Sequence, residues 1–112
     1  MDLNRDIYET TVLASKSLLL VDFWGPQCGP CLVLMPFVDQ LEARYKERIS
    51  VAKVNAAENR MLCAKMRVMG LPTFILYNDG AEVKRLTGQQ LSEQDLVNLL
   101  DEALAVQTKE VP

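Results

Sequence analysis

The feature that most constrains the fold is the apolar run Leu18–Trp24, which only Asp22 interrupts. Apolar and polar residues do not alternate along it, so a strand formed here must be covered on both faces. Such a strand lies inside a parallel or mixed sheet with helices above and below. The run therefore predicts the central strand of an α/β domain.

The other segments predict an alternating arrangement of helices and strands. The predicted order is helix, strand, helix, strand, helix, strand, strand, helix, at residues 6–14, 18–24, 30–45, 49–55, 57–66, 74–77, 83–86 and 93–106. Asn78-Asp79-Gly80 predicts a hairpin turn between the last two strands. We expect a central mixed sheet of four to five strands, flanked by helices on both faces. At most two or three residues around Leu3 remain for a first edge strand, which is expected to be either missing or vestigial.

The length and composition predict one folded domain. The chain has 112 residues, of which 49% are hydrophobic and 24% charged. We expect the domain to span residues 1–106 and the tail at 107–112 to fray. A domain of this size buries about 60% or more of the surface that its unfolded chain exposes. The cysteines are therefore not required as structural cross-links and are available for a chemical function.

The charge and the lack of histidine exclude several classes of function. A net charge of −3 does not suit nucleic-acid binding, which needs clustered Lys and Arg. The first residues do not have the pattern of a secretory signal, and the apolar run 18–21 is far shorter than the ~20 residues that span a bilayer. We expect a cytoplasmic protein without a membrane partner. Because histidine is absent, Cys-His dyads, Ser-His-Asp triads and His-containing zinc sites are excluded.

The residues with the clearest chemistry are Cys28 and Cys31, which Gly29 and Pro30 separate. Two cysteines at this spacing at a helix start can close a disulfide with little rearrangement. Free N–H groups at a helix N-terminus stabilise an anion, so Cys28 is predicted to be the attacking thiolate. Cys31, one turn further and more buried, is predicted to keep its proton until a mixed disulfide forms, and then to attack Cys28 and release the substrate.

Two other interpretations of the cysteine pair are weaker. Half of a four-cysteine zinc site has the same spacing, but only Cys63 remains as a further cysteine, so such a site would need carboxylates or a partner chain. Two buried structural cysteines are disfavoured because the turn residues Gly29 and Pro30 place Cys28 at a surface. Cys63 itself is interpreted as a small core or groove residue, with a regulatory or intermolecular thiol as the alternative.

Motifs along nearly the whole chain resemble the thioredoxin family. They are Val21-Asp22-Phe23-Trp24, Cys28-Gly29-Pro30-Cys31, Pro36, Val51-Ala52-Lys53-Val54-Asn55, Gly70-Leu71-Pro72-Thr73, Asn78-Asp79-Gly80 and Gly88. The resemblance implies the thioredoxin fold and a thiol-disulfide oxidoreductase that reduces disulfides in other proteins. It also implies an NADPH-linked thioredoxin reductase as electron donor, and no bound cofactor besides the redox-active cysteine pair. We expect a monomer.

The resemblance implies roles for further residues. Asp22 resembles the family's buried acid, which takes the proton of Cys31 during resolution, and Lys53 resembles the partner that modulates it. Pro72 resembles the family's cis proline. The implied substrate-binding residues are Trp24, Gly29, Pro30, Gly70, Leu71, Pro72 and Gly88. The alternatives are a solvated acid at Asp22, an exposed strand lysine at Lys53, an ordinary trans proline at Pro72, and loop glycines that only form turns.

The two residues immediately before the first cysteine depart from the family pattern. Many members carry a tryptophan immediately before that cysteine, whereas this chain has Gln27, preceded by Pro26. We expect an altered choice of partner or reductase and unchanged exchange chemistry. Two rival functions share the fold: a binding adaptor without turnover, and an oxidant or isomerase. The two thiols and Asp22 argue against the adaptor, and Gly-Pro between the cysteines argues against the oxidant.

Overall fold

The chain forms one five-stranded sheet with helices on both faces in this computed structural model, which describes residues 1–110 and the side chains of residues 1–106. The elements are β1 (Asp2–Leu3), α1 (Tyr8–Ala14), β2 (Leu18–Trp24), α2 (Gly29–Arg44), β3 (Ile49–Asn55), a 3₁₀ turn (Ala56–Glu58), α3 (Arg60–Lys65), β4 (Thr73–Asn78), β5 (Ala81–Thr87) and α4 (Glu93–Glu110). Of the tail predicted to fray, residues 107–110 continue α4 along the backbone, and residues 111–112 lie outside the described residues.

The sheet is mixed and has the strand order β1-β3-β2-β4-β5. The first three strands in this order are parallel, β4 runs antiparallel to β2, and β5 runs antiparallel to β4. β2 is therefore the central strand, as its apolar run predicts. Of the two alternatives for the first edge strand, the structure shows the vestigial one, since β1 contributes only Asp2 and Leu3 beside β3.

Alternate residues of β2 build the cores on the two faces of the sheet. Leu18 and Leu20 pack with residues of α2 and α4, whereas Leu19, Val21 and Phe23 pack with residues of α1 and α3. All five are at most 1% exposed. A side-chain period of two explains this division, because neighbouring residues of a strand point to opposite faces. No helix within residues 1–110 is long and apolar enough to cross a membrane.

The segment predicted as one helix at 57–66 is divided in the structure. The Asn55 side chain accepts a hydrogen bond from the Ala57 N–H at 3.0 Å and starts the short 3₁₀ turn. Asn59 then interrupts the helical segment, and its buried side chain bonds the backbone of Arg5 and Asn55 at 3.0 Å each. A continuous helix is wrong here, because local side-chain hydrogen bonds compete with helical ones.

The turn between β4 and β5 has the geometry that its sequence predicts. Asp79 and Gly80 have φ values of 51° and 83°. Positive φ at two consecutive residues is typical of tight hairpin turns, and Asp-Gly is well suited to it. The turn sets the antiparallel pairing that carries the chain from β4 to β5.

Candidate functional site

The cysteine pair lies at the start of α2. Cys28 is the N-cap residue, and its Sγ accepts a hydrogen bond from the Cys31 N–H at 3.2 Å. Gly29 and Pro30 form the first two helical positions, where the missing N–H of proline removes no helical hydrogen bond. The two cysteines form a disulfide with a Cα–Cα distance of 5.3 Å.

The two cysteine residues differ in their exposure to solvent. Cys28 is half-buried, whereas Cys31 is only 2% exposed. The predicted difference in exposure is confirmed. An incoming disulfide can therefore reach Cys28 more easily than Cys31, while the free N–H groups of a 16-residue helix favour negative charge at Cys28.

Asp22 is a buried carboxylic acid in the middle of the sheet. It is 1% exposed, and its Oδ1 has no hydrogen-bond partner among the described residues. Burial raises its pKa from 3.8 to about 7; the positive charge of Lys53 opposes this shift and the negative charge of Asp39 adds to it. The alternative of a solvated acid is excluded.

Asp22 and Cys31 belong to the same layer of the molecule. Asp22 shares the face of β2 that carries Leu20, and this face packs against α2. Cys31 begins the buried side of α2, which continues with Leu34 and Val38 toward the same sheet face. The acid and the less exposed sulfur thus both lie on the side of the sheet that α2 covers.

Lys53 lies beside Asp22 but forms its ion pair elsewhere. The two residues are register partners on β2 and β3. The Lys53 ammonium group donates a hydrogen bond to Asp39 on α2, not to Asp22. The predicted modulation of Asp22 therefore acts through the charge of Lys53. No sequence signal marks Asp39, because it is an exposed helix acid that gains its importance only when α2 packs beside β3.

A groove of about 550 Å³ opens beside Cys28. Its lining residues come from four separate parts of the chain: Gly25, Pro26, Gln27, Cys28, Gly29, Pro30, Ala56, Ala57, Arg60, Leu71 and Gln89. Of the predicted substrate-binding residues, Gly29, Pro30 and Leu71 line this groove. The size is within the range of sites that bind small ligands or short segments of a chain.

The remaining predicted substrate-binding residues do not line the groove. Trp24 is half-buried at the end of β2, where its register partner is Asn55. Gly70, Pro72 and Gly88 are not among the residues that line the groove, and their backbone groups form hydrogen bonds next to Leu71. The sequence did not indicate Ala56, Ala57, Arg60 or Gln89 as groove residues, because only tertiary packing brings these segments next to Cys28.

The loop that carries Leu71 is held against the active-site turn. The Leu71–Pro72 peptide bond is cis, as the resemblance implies. A Cβ on Gly25 would stand 3.2 Å from the Leu71 side chain and 4.0 Å from Cβ of Cys28. The absence of a side chain at Gly25 therefore allows the loop to approach the cysteine closely.

Hydrogen bonds tie the same loop to the end of β5. The Thr73 hydroxyl donates to the Gly70 carbonyl at 2.6 Å and lies 3.1 Å from the Thr87 hydroxyl. The Gly88 N–H donates to the Pro72 carbonyl at 3.1 Å. Gly88 has a φ of 130°, which residues with a side chain rarely adopt. Gly88 thus has a backbone role that a glycine fulfils best.

Cys63 is separate from this site. It is 9% exposed and packs on the opposite sheet face with Tyr8 and Leu62. Burial raises the pKa of its thiol, which disfavours the reactive thiolate. Its interpretation as a core residue is confirmed. Within residues 1–106, no cluster of three or more His, Cys, Asp or Glu side chains is placed to hold a metal ion.

Comparisons with known proteins agree on one family. Residues 1–102 match the family model described as thioredoxin. The chain is 40% identical over 86 residues to a thioredoxin of Acetoanaerobium sticklandii, covering 77% of this chain and 82% of that protein. It is 35% identical over 97 residues to Thioredoxin 1 of Synechococcus elongatus, covering 87% and 90%. A thioredoxin of Peptoclostridium acidaminophilum is 30% identical over 96 residues, covering 86% and 87%.

Proposed function

Because the chain belongs to the thioredoxin family and is a thiol-disulfide oxidoreductase, we propose that Cys28 attacks disulfides in other proteins and that Cys31 releases the reduced product. The observation that carries this assignment is the unequal exposure of two disulfide-bonded cysteines at the start of α2, next to an open groove. Each role follows from where the sulfur lies.

The first step transfers the substrate onto Cys28. The Cys28 thiolate attacks one sulfur of the substrate disulfide, the substrate S–S bond breaks, and the other substrate sulfur leaves as a thiolate that takes a proton from solvent. A mixed disulfide now joins Cys28 to the substrate. The helix N-terminus assists because its N–H groups stabilise the thiolate before the attack.

The second step returns the substrate in its reduced form. The Cys31 thiol loses its proton and attacks the Sγ of Cys28, so that the Cys28–Cys31 disulfide forms and the mixed disulfide breaks. The second substrate sulfur leaves as a thiolate and is then protonated. Two electrons have passed from the protein to the substrate.

Asp22 is proposed as the acceptor of the Cys31 proton. A pKa of about 7 allows the carboxylate to exist at neutral pH and still to bind a proton readily. Oδ1 of Asp22, which has no hydrogen-bond partner among the described residues, is available to accept this proton, directly or through a water molecule. Lys53 is paired with Asp39, and its positive charge lowers the pKa of Asp22, so that part of the Asp22 population is ionised.

The substrate is proposed to bind as an extended segment along the groove. Leu71 lines this groove, so its backbone groups can pair with a substrate strand in the manner of an added β-strand. Gly29 and Pro30 line the same groove and are proposed to contact the substrate as well. Trp24, Gly70, Pro72 and Gly88 are proposed to maintain the shape of the site.

The two-step exchange requires one partner that donates electrons to the cysteine pair and another that accepts them. The oxidised cysteine pair must be reduced again, and an NADPH-linked thioredoxin reductase is the proposed donor. Oxidised proteins are the proposed acceptors. We propose that the protein works as a monomer in the cytoplasm without a bound cofactor. Pro26 and Gln27, which line the groove next to Cys28, are placed where they can influence the choice of both partners.

The reduction potential of the cysteine pair distinguishes a reductant from an oxidant. We expect a potential more negative than that of cytosolic glutathione, roughly −220 to −260 mV by biochemical extraction. The measurement is equilibration with glutathione buffers, acid quenching and alkylation of free thiols, with the alkylated fraction read by mass spectrometry. A Cys63→Ser background leaves only the pair to count. A potential well above the glutathione range would instead assign an oxidising role.

A further inference from the structure

The groove beside Cys28 has one charged lining residue, Arg60. The other residues that line it are apolar or neutral, and Gln27 and Gln89 supply its amides. Arg60 is exposed at the first position of α3. It forms no ion pair with any other residue in the described part of the chain. Its guanidinium is therefore available to a bound substrate.

The acidic residues that share a neighbouring hollow with Arg60 do not line the groove. Arg60 also borders a neighbouring hollow, to which Glu58 and Asp6 contribute. Glu58 accepts a hydrogen bond from the Asn55 amide at 3.3 Å, and Asp6 forms an ion pair with Arg5 at 3.8 Å. Both carboxylates thus have partners of their own. Among the residues that line the groove, no carboxylate opposes the positive charge of Arg60.

We propose that Arg60 is a specificity-determining residue that favours substrate disulfides flanked by Asp or Glu. A guanidinium binds a carboxylate with two parallel hydrogen bonds, and Gln27 and Gln89 can donate further ones. Because the chain has a net charge of −3, its overall field does not attract acidic segments, and the preference must be local to the groove. The inference rests on the proposed reduction of protein disulfides at Cys28.

The test compares oxidised peptides that differ only in the residues next to the cysteine. Three disulfide-linked peptides carry Glu, Gln or Lys on both sides of the cysteine. Their reduction by the fully reduced protein is measured as a second-order rate constant at low ionic strength. Each constant is divided by that for dithiothreitol with the same peptide, which removes the effect of flanking charge on the reactivity of the peptide disulfide itself.

For the wild-type protein, the normalised rate constant with the Glu peptide is expected to exceed that with the Lys peptide by roughly threefold to tenfold. This is the size of effect expected when an exposed ion pair is replaced by a repulsion between like charges. Arg60→Gln should remove most of this preference, and Arg60→Glu should reverse it. The preference of the wild type should shrink in ~0.5 M salt, because exposed charges are screened. Arg60 is exposed, so both variants should keep the fold, which circular dichroism checks.

Arg44→Glu is the matched control. It changes the charge by the same amount at the last position of α2, which is on the order of 20 Å from Cys28 along the helix. This control should keep the wild-type preference. An unchanged preference in Arg60→Glu, or an equal change in Arg44→Glu, would overturn the role of Arg60 while leaving disulfide reduction intact. If the wild type reduced none of the peptides, the proposed function itself would fail.

Discussion

Replacing Cys28 by Ser is expected to abolish catalysed disulfide reduction. A serine hydroxyl is not ionised at neutral pH and cannot form a mixed disulfide, so neither step of the exchange remains. Insulin reduction with dithiothreitol as the electron source measures this loss, because reduced insulin chains precipitate. The rate with Cys28→Ser should equal the rate with dithiothreitol alone.

Cys63→Ser is the matched control for this variant. It makes the same chemical change at a cysteine that is buried on the opposite face of the sheet. Circular dichroism should show that both variants are folded. Cys63→Ser should keep the wild-type rate at a modest loss of stability, because it removes a thiol from the core but none from the exchange. Activity of Cys28→Ser above the dithiothreitol background would rule out the assigned nucleophile.

Replacing Asp22 by Asn is expected to change how stability depends on pH. Burial raises the pKa of Asp22 to about 7 in the folded chain, against 3.8 ordinarily, so the folded state holds the proton more tightly. The stabilising effect of this proton is complete below pH ~4 and is lost as the pH rises to 7 and beyond. This rise in the pKa of Asp22 corresponds to about 4 kcal/mol in the free energy of unfolding. The amide that replaces the carboxyl group cannot ionise, so the variant should not show this loss.

Urea unfolding of the oxidised protein between pH 4 and pH 8 measures the effect. The free energy of unfolding of the wild type should fall across this range relative to that of Asp22→Asn, and the variant should be more stable by ~1–3 kcal/mol at pH 8. Asp6→Asn, at an acid whose side chain is 80% exposed, should follow the wild type. If the free energy of unfolding depended on pH in the same way for Asp22→Asn and the wild type, the buried carboxylate would not destabilise the folded state.

The same substitution should slow the release of the substrate. Without the carboxylate, the Cys31 proton must pass to solvent before Cys31 can attack Cys28, and proton transfer by a positioned group typically contributes about 10² to 10⁴ in rate. Single-turnover experiments separate the formation of the mixed disulfide from its resolution. Resolution should slow in Asp22→Asn while formation stays near the wild-type rate. Unchanged resolution would refute the role of Asp22 as proton acceptor.

The parts of the fold that are set by local sequence were predictable. The apolar run of β2 required cover on both faces, and Asp79-Gly80 required a tight turn. Cys28 and Pro30 lie in the sequence at the point where the helix begins, so their placement at the N-terminus of α2 also followed from local rules. Asp22 could be assigned to the interior because its neighbours along the strand are apolar.

The parts of the site that depend on packing between distant segments were not predictable. The resemblance implies that Lys53 modulates Asp22, but the ion pair of Lys53 with Asp39 could not be predicted, because only the packing of α2 brings Asp39 within its reach. Arg60 lies 32 positions beyond Cys28 in the sequence, and only the folded chain brings both to one groove. The division of the third helical segment depended on side-chain hydrogen bonds of Asn59 with residues such as Arg5, far away in the sequence.

The central claim is that Cys28 attacks and Cys31 releases, and trapping with Cys31→Ser tests it most directly. This variant can perform the first step but not the second, so reduced Cys31→Ser mixed with an oxidised protein substrate should accumulate a covalent complex. Peptide mapping of that complex under non-reducing conditions identifies the linked residue. We predict a disulfide between the substrate and Cys28, which dithiothreitol releases. A complex linked through Cys63, or no complex under conditions in which the wild type reduces the same substrate, would contradict the account.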